Sequence, residues 1–344
     1  MNQEATIFSL PDRILLAHGS GGELSHELVS SLFVKAFHNP FLDPLDDTAV
    51  VRVEGARIAF TTDSYVVTPL FFPGGDIGKL AVCGTVNDLS MSGARPLFLS
   101  AGFIIEEGFS LESLEKIVLS MKGAADLAGM QIVTGDTKVV NRGGADGIFI
   151  NTAGIGLVPA GVNIAGSLAR PGDRVILSGT IGDHGVAILS SREGLQFSTA
   201  LQSDCAPLNG LVAGMLETSP KIHCLRDPTR GGLSSTLNEL ARQSKVGIWI
   251  DETRIPIKEE VRGACELLGF DPFILANEGK LVAIVAEEAA EAILQRMKAH
   301  PLGRGAALIG EVREEPGGKV LLRTSIGSTR ILDMPVGEPL PRIC

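Results

Sequence analysis

Aromatic residues are scarce in this chain: one Trp and one Tyr stand among 344 residues. Cysteine is scarce too, at positions 83, 205, 224, 265 and 344. An odd count without paired spacing excludes a disulfide framework or a zinc ribbon and fits a reducing compartment. Basic residues are outnumbered, with 30 Lys and Arg against 40 Asp and Glu and a formal charge of -10. No Lys/Arg cluster is available to meet a phosphate backbone, so nucleic acid is excluded as a partner. Long apolar runs are missing: none approaches the roughly 20 residues that span a bilayer. The first ten residues contain Glu4 and lack the apolar core of a signal peptide, so the expected location is the cytoplasm, away from membranes.

Glycine is abundant, at 41 residues, which implies many tight turns and close backbone approaches. The length suits two domains, each with its own core. Up to about residue 159, short apolar runs read as strands: Thr48–Val53, Arg57–Thr62, Leu97–Ile105, Met130–Val140 and Gly147–Val158. Glu23–His38 and Leu111–Ala128 carry amphipathic helical patterns. Asp76–Gly93 reads as a third helix, with Asp76 as N-cap and Gly93 as its stop. A break rich in Gly, Pro and small residues covers 160–173.

Beyond it the pattern restarts with strand Arg174–Gly179 and helices near Leu208–Glu217, Gly232–Ser244 and Lys258–Leu268. Strands Gly247–Asp251 and Lys280–Ala286, helix Glu287–His300, and strands near Ala307–Arg313, Lys319–Arg323 and Thr329–Asp333 follow. Without a strict βαβ rhythm, α+β is favoured over a doubly wound sheet. The expected domains are 1–159 and 160–333. A tail, 334–344, carries Pro335, Pro339 and Pro341, reads as extended and mobile, and spans at most ~33–36 Å over ten residues.

No P-loop is present. In GGDIGKL the motif would need Gly at Pro73 and Ser or Thr at Leu80, and SGTIGDHG is not GxGxxG. Acidic residues instead mark turns and strand ends: Asp46 and Asp47 in DDTAV, Asp63 in FTTDSYV, Asp88 in TVNDLSM, Asp136 in VTGDTKVV, Asp227 in RDPTRGG. Each alone reads equally as a cap or a solvated turn. Asp88 differs, because the helix that carries it is apolar all round and a buried carboxylate requires a cation or strong donor. Oxygen-rich, histidine-poor sets suit magnesium.

Lys138 lies two residues after Asp136 on an apolar strand; it is either an edge lysine that snorkels out or an ammonium for phosphate oxygens. Glu278, in ANEGK, is either a solvated turn carboxylate or a base. HGSGG at 18–22, ahead of a helix, offers backbone amides to an anion. Cys344 is either an incidental cysteine or a carrier thiol, since a thiol at the tip of a movable tail can take a covalent group between two sites.

Taken together, HGSGG, FPGGDIGKLAVCGTVNDLSMSGARP, VTGDTKVV, RDPTRGGL, ANEGK and PRIC resemble the HypE family of hydrogenase maturation factors, essentially end to end. These are carbamoyl dehydratases related to aminoimidazole ribonucleotide and selenophosphate synthetases. The resemblance implies two α+β domains, with amino-terminal strands pairing across a homodimer to build an ATP site. It implies ATP and Mg2+ as cofactors. Gly19, Gly21, Gly22, Asp46, Asn87, Thr137 and Lys138 would meet the nucleotide, and Asp47, Asp63, Asp88, Asp136 and Asp227 the metal. HypF would place a carbamoyl group on Cys344. Lys138 would stabilise developing charge, Glu278 would take the nitrogen proton, and a HypC–HypD complex would receive the cyanide. Alternatives left open by the residues are a kinase or ligase of the same superfamily and a non-catalytic carrier.

Overall fold

The first domain folds because one buried helix can lie flat on one sheet. A computed structural model of the chain describes residues 13–19, 21–192, 201–337 and 342–344. The amino-terminal arm is helical in three pieces, α1 (Glu23–Leu28), a π-helical stretch Val29–Val34, and α2 (Lys35–Phe37). Then come β1 (Ala49–Val53), β2 (Ala56–Tyr65), a small hairpin of β3 (Phe71–Phe72) and β4 (Gly75–Asp76), and α3 (Ile77–Met91). β5 (Arg95–Glu106), α4 (Leu111–Ala128), β6 (Gln131–Val140) and β7 (Ile148–Leu157) complete it.

These strands form a five-stranded sheet in the order β1-β2-β7-β5-β6, antiparallel except for β5 with β6. Asp76 caps α3 as expected, accepting from Gly78 N at 2.7 Å and Lys79 N at 3.2 Å. The chain leaves α3 through Gly93, whose φ of +72° suits glycine. Almost every side chain of α3 is buried, because it sits between the sheet, α4 and the second domain. Gly154 on β7 allows this approach: a Cβ there would lie 2.7 Å from Thr85.

The second domain contains β8 (Arg174–Leu177), α5 (Asp183–Ser191), α6 (Asn209–Thr218), β9 (Ile222–Arg226), α7 (Gly232–Ser244), β10 (Gly247–Asp251), α8 (Glu259–Leu268), β11 (Val282–Val285), α9 (Glu287–Ala299), β12 (Ala307–Arg313), β13 (Lys319–Arg323) and β14 (Thr329–Ile331). Its seven-stranded sheet runs β14-β13-β10-β12-β8-β11-β9. Apolar clusters lie on both of its faces, one with α7 and the other with α6 and α9. The first domain's core continues without a gap into Val186, Cys205, Leu275 and Ile343, so the two sheets share packed material.

The mixed α+β architecture expected from the sequence is observed, with three elements that the sequence reading did not assign: α5, β9 and the β3–β4 hairpin. Lys138 lies on the sheet's edge strand, one of the two positions the sequence left open, and that strand is exposed along nearly its whole length in the single chain.

Candidate active site

The chain's last residues are docked rather than extended into solvent. Val66 N donates to the Cys344 carbonyl at 3.1 Å and Thr68 N to the Arg342 carbonyl at 3.2 Å. Arg342 Nε returns a bond to the Val66 carbonyl at 2.9 Å, so the tip adds a short strand-like pairing beyond β2. Arg192 donates to Thr68 O at 2.7 Å and to Arg342 O at 2.6 Å. Ile343 is buried in the first domain's core, and Cys344 packs against it half-exposed. The tail was expected to travel; its described tip is held. Pro339 and Pro341 lie outside the described residues.

Beside this tip lies a group of carboxylates drawn from four segments. Asp47 leads into β1, Asp63 lies in the inner row of β2 just before Tyr65, Asp88 comes from α3, and Asp227 follows β9. Asp88 has one side-chain donor, the Thr61 hydroxyl at 2.9 Å, shared with the Asp47 carbonyl at 3.0 Å. Burial first, then repulsion from Asp227 and Asp63, pushes Asp88 well above the usual carboxylate range. Burial also pushes Asp227 up to about 8, with Asp47 adding to it, and Asp47 up to about 6 against the opposing Arg226. Asp46, expected at the nucleotide, is likewise raised by burial and accepts from Gly166 N at 3.0 Å.

Glu278 supplies the fifth acid. It is buried, its Oε1 has no partner, and burial followed by Asp227, Asp204 and Asp63 pushes it well above the usual range. This is no solvated turn carboxylate. Its backbone is pinned on both sides: its N–H donates to Asp204 Oδ1 at 3.1 Å, and its carbonyl accepts from Asn87 Nδ2 at 3.2 Å. Asn87 spends the rest of its amide on Ala206 O and Leu208 N. Expected at the nucleotide, Asn87 is fully engaged in positioning the second domain.

Two arginines that carried no assignment from the sequence balance this charge. Arg226 bridges Asp47 at 3.1 Å and Glu239 at 3.0 Å, and Glu239 meets His26 of α1 at 3.3 Å. Arg230 is held protonated first by the negative charge at Cys344, then by Asp63 and Glu278. Both belong to RDPTRGG, where only Asp227 had drawn notice.

The glycine loop closes on the same arginine. Arg230 Nη1 donates to Gly19 O at 3.1 Å, and a Cβ on Gly21 would lie 2.8 Å from that of Arg230. A Cβ on Gly22 would strike the Pro335 carbonyl. Gly21 N donates to Ser25 Oγ at 2.9 Å and Glu23 N to Pro335 O at 3.2 Å, so the protein itself takes two of the amides near an anion.

Asp136, Thr137 and Lys138 stand apart. The register Asp136–Gly102–Asn151–Ser64 runs straight across the sheet, three strand spacings or about 14 Å. Asp136 and Lys138 face the outer side and pair at 3.2 Å, which holds Asp136 below the usual range. They line a cavity of about 440 Å³ with Ser64, Asn151, Phe149 and Val66. Val66 is the residue whose amide holds Cys344, so this cavity opens beside the tail tip. The chain thus brings Asp47, Asp63, Asp88, Asp227 and Glu278 together and leaves Asp136 outside that group.

Among the described residues no three His, Cys, Asp or Glu side chains stand ready-made around a metal position. The donor chemistry nevertheless fits a hard dication: several buried carboxylates repel one another with too few positive partners.

The chain matches the AIR synthase related protein family, with the N-terminal domain over residues 45–158 and the C-terminal domain over 170–323. Carbamoyl dehydratase HypE of Azotobacter vinelandii is 56% identical over 329 residues, 96% of each chain. A crystal structure of a HypE–HypF complex superposes with a TM-score of 0.86 at 53% identity, covering 90% of this chain and 99% of that one. HypE in complex with ATP superposes with a TM-score of 0.82 at 52% identity, covering 96% and 100%.

Proposed function

The chain belongs to the HypE family of carbamoyl dehydratases, enzymes of hydrogenase maturation, and on that premise we propose that Cys344 is the thiol on which its carbamoyl group is dehydrated. The supporting observation is the position of Cys344: its charge and that of the buried Glu278 both act on Arg230, and Val66, whose amide holds it, lines the cavity with Lys138. HypF, the partner in the related complex, would load the thiol from a carbamoyl donor to give a thiocarbamate.

The chemistry then requires loss of water from R–S–C(=O)–NH2 to give R–S–C≡N. An amide oxygen is a poor leaving group until it carries phosphate. ATP supplies that phosphoryl group: the carbamoyl oxygen bonds to the γ-phosphorus and ADP departs. Breaking the C–O bond releases phosphate, which carries away one nitrogen proton, while the other goes to a base as the thiocyanate forms. Arg230 and the main chain at Val66 and Thr68 hold the tip in place. Glu278, kept from water and with an unpartnered Oε1, takes the nitrogen proton in its ionised form, which a dication that offset the repulsion from Asp227 and Asp63 would restore. Lys138 stabilises charge developing on the transferred oxygens. Mg2+ held by Asp47, Asp63, Asp88 and Asp227 would spread the phosphate charge. The cyanide would pass to a HypC–HypD complex, and the reaction would take place in the cytoplasm; no helix among the described residues is long and apolar enough to cross a membrane.

The remaining expected ligands, Asp136 and Thr137, reach such a site through a second copy. The outer face of the five-stranded sheet carries Phe60, Ile155 and Phe98 in one cross-strand row, all exposed, with Ile104 nearby. A contiguous apolar face of this kind fits a homodimer.

Intact-protein mass after incubation with HypF, carbamoyl phosphate and ATP tests the proposal. A gain of roughly 43 Da on Cys344, followed in ATP by a loss of roughly 18 Da, is expected from the chemistry of acylation and dehydration. An adduct on Cys83, Cys205, Cys224 or Cys265 overturns it, as does an adduct on Cys344 that ATP leaves unchanged.

A further inference from the structure

His184, the second residue of α5, is fully buried, yet both ring nitrogens are partnered. Nε2 lies 2.8 Å from the Ile343 carbonyl, an oxygen that can only accept, so Nε2 carries the proton. Nδ1 is therefore the acceptor and takes the Ser203 hydroxyl at 2.8 Å. Ser203 Oγ in turn accepts the Cys205 N–H at 3.1 Å, which fixes the direction of every bond in the chain. Phe72 packs edge-on against the imidazole, with 5.5 Å between ring centroids. Burial disfavours the charged ring, and the neutral tautomer is the one this network requires.

The residue between Ser203 and Cys205 faces the other way. Asp204 accepts Glu278 N–H on Oδ1 at 3.1 Å and the Lys280 ammonium on Oδ2 at 3.0 Å. One three-residue loop therefore holds, on one side, the ring that holds Ile343 and, on the other, the main chain of Glu278. A ring that only filled space would leave its nitrogens unsatisfied, at a cost that Leu would avoid.

We infer that His184 is a positioning residue that latches the tail tip in its docked place, in register with Glu278 through the Ser203–Asp204–Cys205 loop. The inference rests on the reading that Cys344 carries the reacting group, but its test does not require that chemistry. A carboxypeptidase releases Cys344 and Ile343 only from the undocked tail, so the release rate follows the undocked population.

Digestion of the full-length protein with carboxypeptidase Y, followed by intact mass, reads this directly. His184→Leu is expected to release the two residues about tenfold faster than wild type, the effect of one buried hydrogen bond lost with its acceptor stranded. His184→Gln, whose side-chain N–H reaches the same carbonyl, is expected to return to within about twofold of wild type, since the bond is restored. Release from His184→Leu at the wild-type rate, or no rescue by Gln, overturns the latch. If His184→Leu is digested well past residue 342, it has unfolded, and Ser203→Ala decides. That variant keeps the ring but removes the group that sets its tautomer, and faster release supports the latch while a wild-type rate overturns it. Normal latching in a protein that never dehydrates its thiocarbamate counts against the proposed function alone.

Discussion

Asn87 and Glu278 are joined across the domain boundary: Asn87 Nδ2, from the middle of α3, donates to the Glu278 carbonyl at 3.2 Å. The same side-chain amide serves Ala206 O and Leu208 N, so one buried residue sets the second domain's site turn against the first domain's helix. Asn87→Ala strands Leu208 N–H and loosens Glu278. A loss of about 2–3 kcal/mol is expected from such unsatisfied buried groups, with the fall in dehydration larger than the change in ATP affinity. Denaturant unfolding and calorimetry separate the two, and a variant of normal stability with weakened ATP binding would return Asn87 to the nucleotide.

Glu278→Gln keeps the shape of the site and removes its proton acceptor. Because the native carboxyl is already pushed toward its neutral form, the exchange is expected to leave stability unchanged or slightly raised. Carbamoylated protein should accumulate, with thiocyanate formation slowed roughly 10²–10⁴-fold. Intact mass over time checks this, and wild-type turnover would remove Glu278 from the reaction.

The acid cluster predicts a pH profile. Asp47 at about 6 and Asp227 at about 8 lie above the roughly 3.9 of an unfolded Asp, so between these limits the folded state binds more protons than the unfolded one. Stability in EDTA without nucleotide therefore falls as pH rises from about 4 to about 8. His184, buried neutral, works in the opposite direction near its unfolded value, but it is one group against Asp47 and Asp227 together with the likewise raised Asp46, Asp88 and Glu278. Asp88→Asn and Asp227→Asn should flatten the fall, raise the thermal midpoint at pH 8, and weaken Mg2+–ATP binding at least about tenfold. Thermal scans across pH and titration calorimetry test the pair together. Undiminished Mg2+–ATP affinity in both variants would refute the metal assignment.

On the outer sheet face, Ile155→Asp sets a charge between Phe60 and Phe98. No buried packing in the single chain is disturbed, because all three side chains are exposed. Sedimentation velocity is expected to shift from dimer to monomer, with dehydration falling in step. A variant that sediments like wild type would place self-association elsewhere.

Much of this fold could be read locally, and the failures have physical causes. Asp76 with its two amide partners, and Leu111–Ala128 with Ser110 ahead and Gly129 behind, carry start and stop signals within a few residues. β9, Ile222–Arg226, is five residues long and ends in a charge, too short for alternation to show. α5 lies between the β3–β4 hairpin and α8 and is buried over its first turns, so it lacks the one-sided pattern that marks a surface helix. Lys138 lies on a strand whose apolar residues face nothing in a single chain, and composition cannot distinguish a covered strand from an uncovered one. Asp88 was legible because its helix is apolar all round. Arg226, Arg230 and His184 were not, since their partners lie up to 211 residues away in sequence and leave no local trace.

The groove at Val66 and Thr68 grips its occupant largely by the occupant's own carbonyls, which take bonds from Val66, Thr68, Arg192 and His184, and it buries the Ile343 side chain. A groove of that kind does not distinguish a tethered strand from a free one. A short peptide or peptidomimetic with a buried aliphatic residue and the same bonding edge can occupy it, which makes the groove a point of inhibition separate from the nucleotide pocket. The tether sets how hard that is. A segment joined to its own site competes at an effective concentration on the order of millimolar, so a free competitor succeeds only by being more rigid or more tightly bound than the tail it displaces.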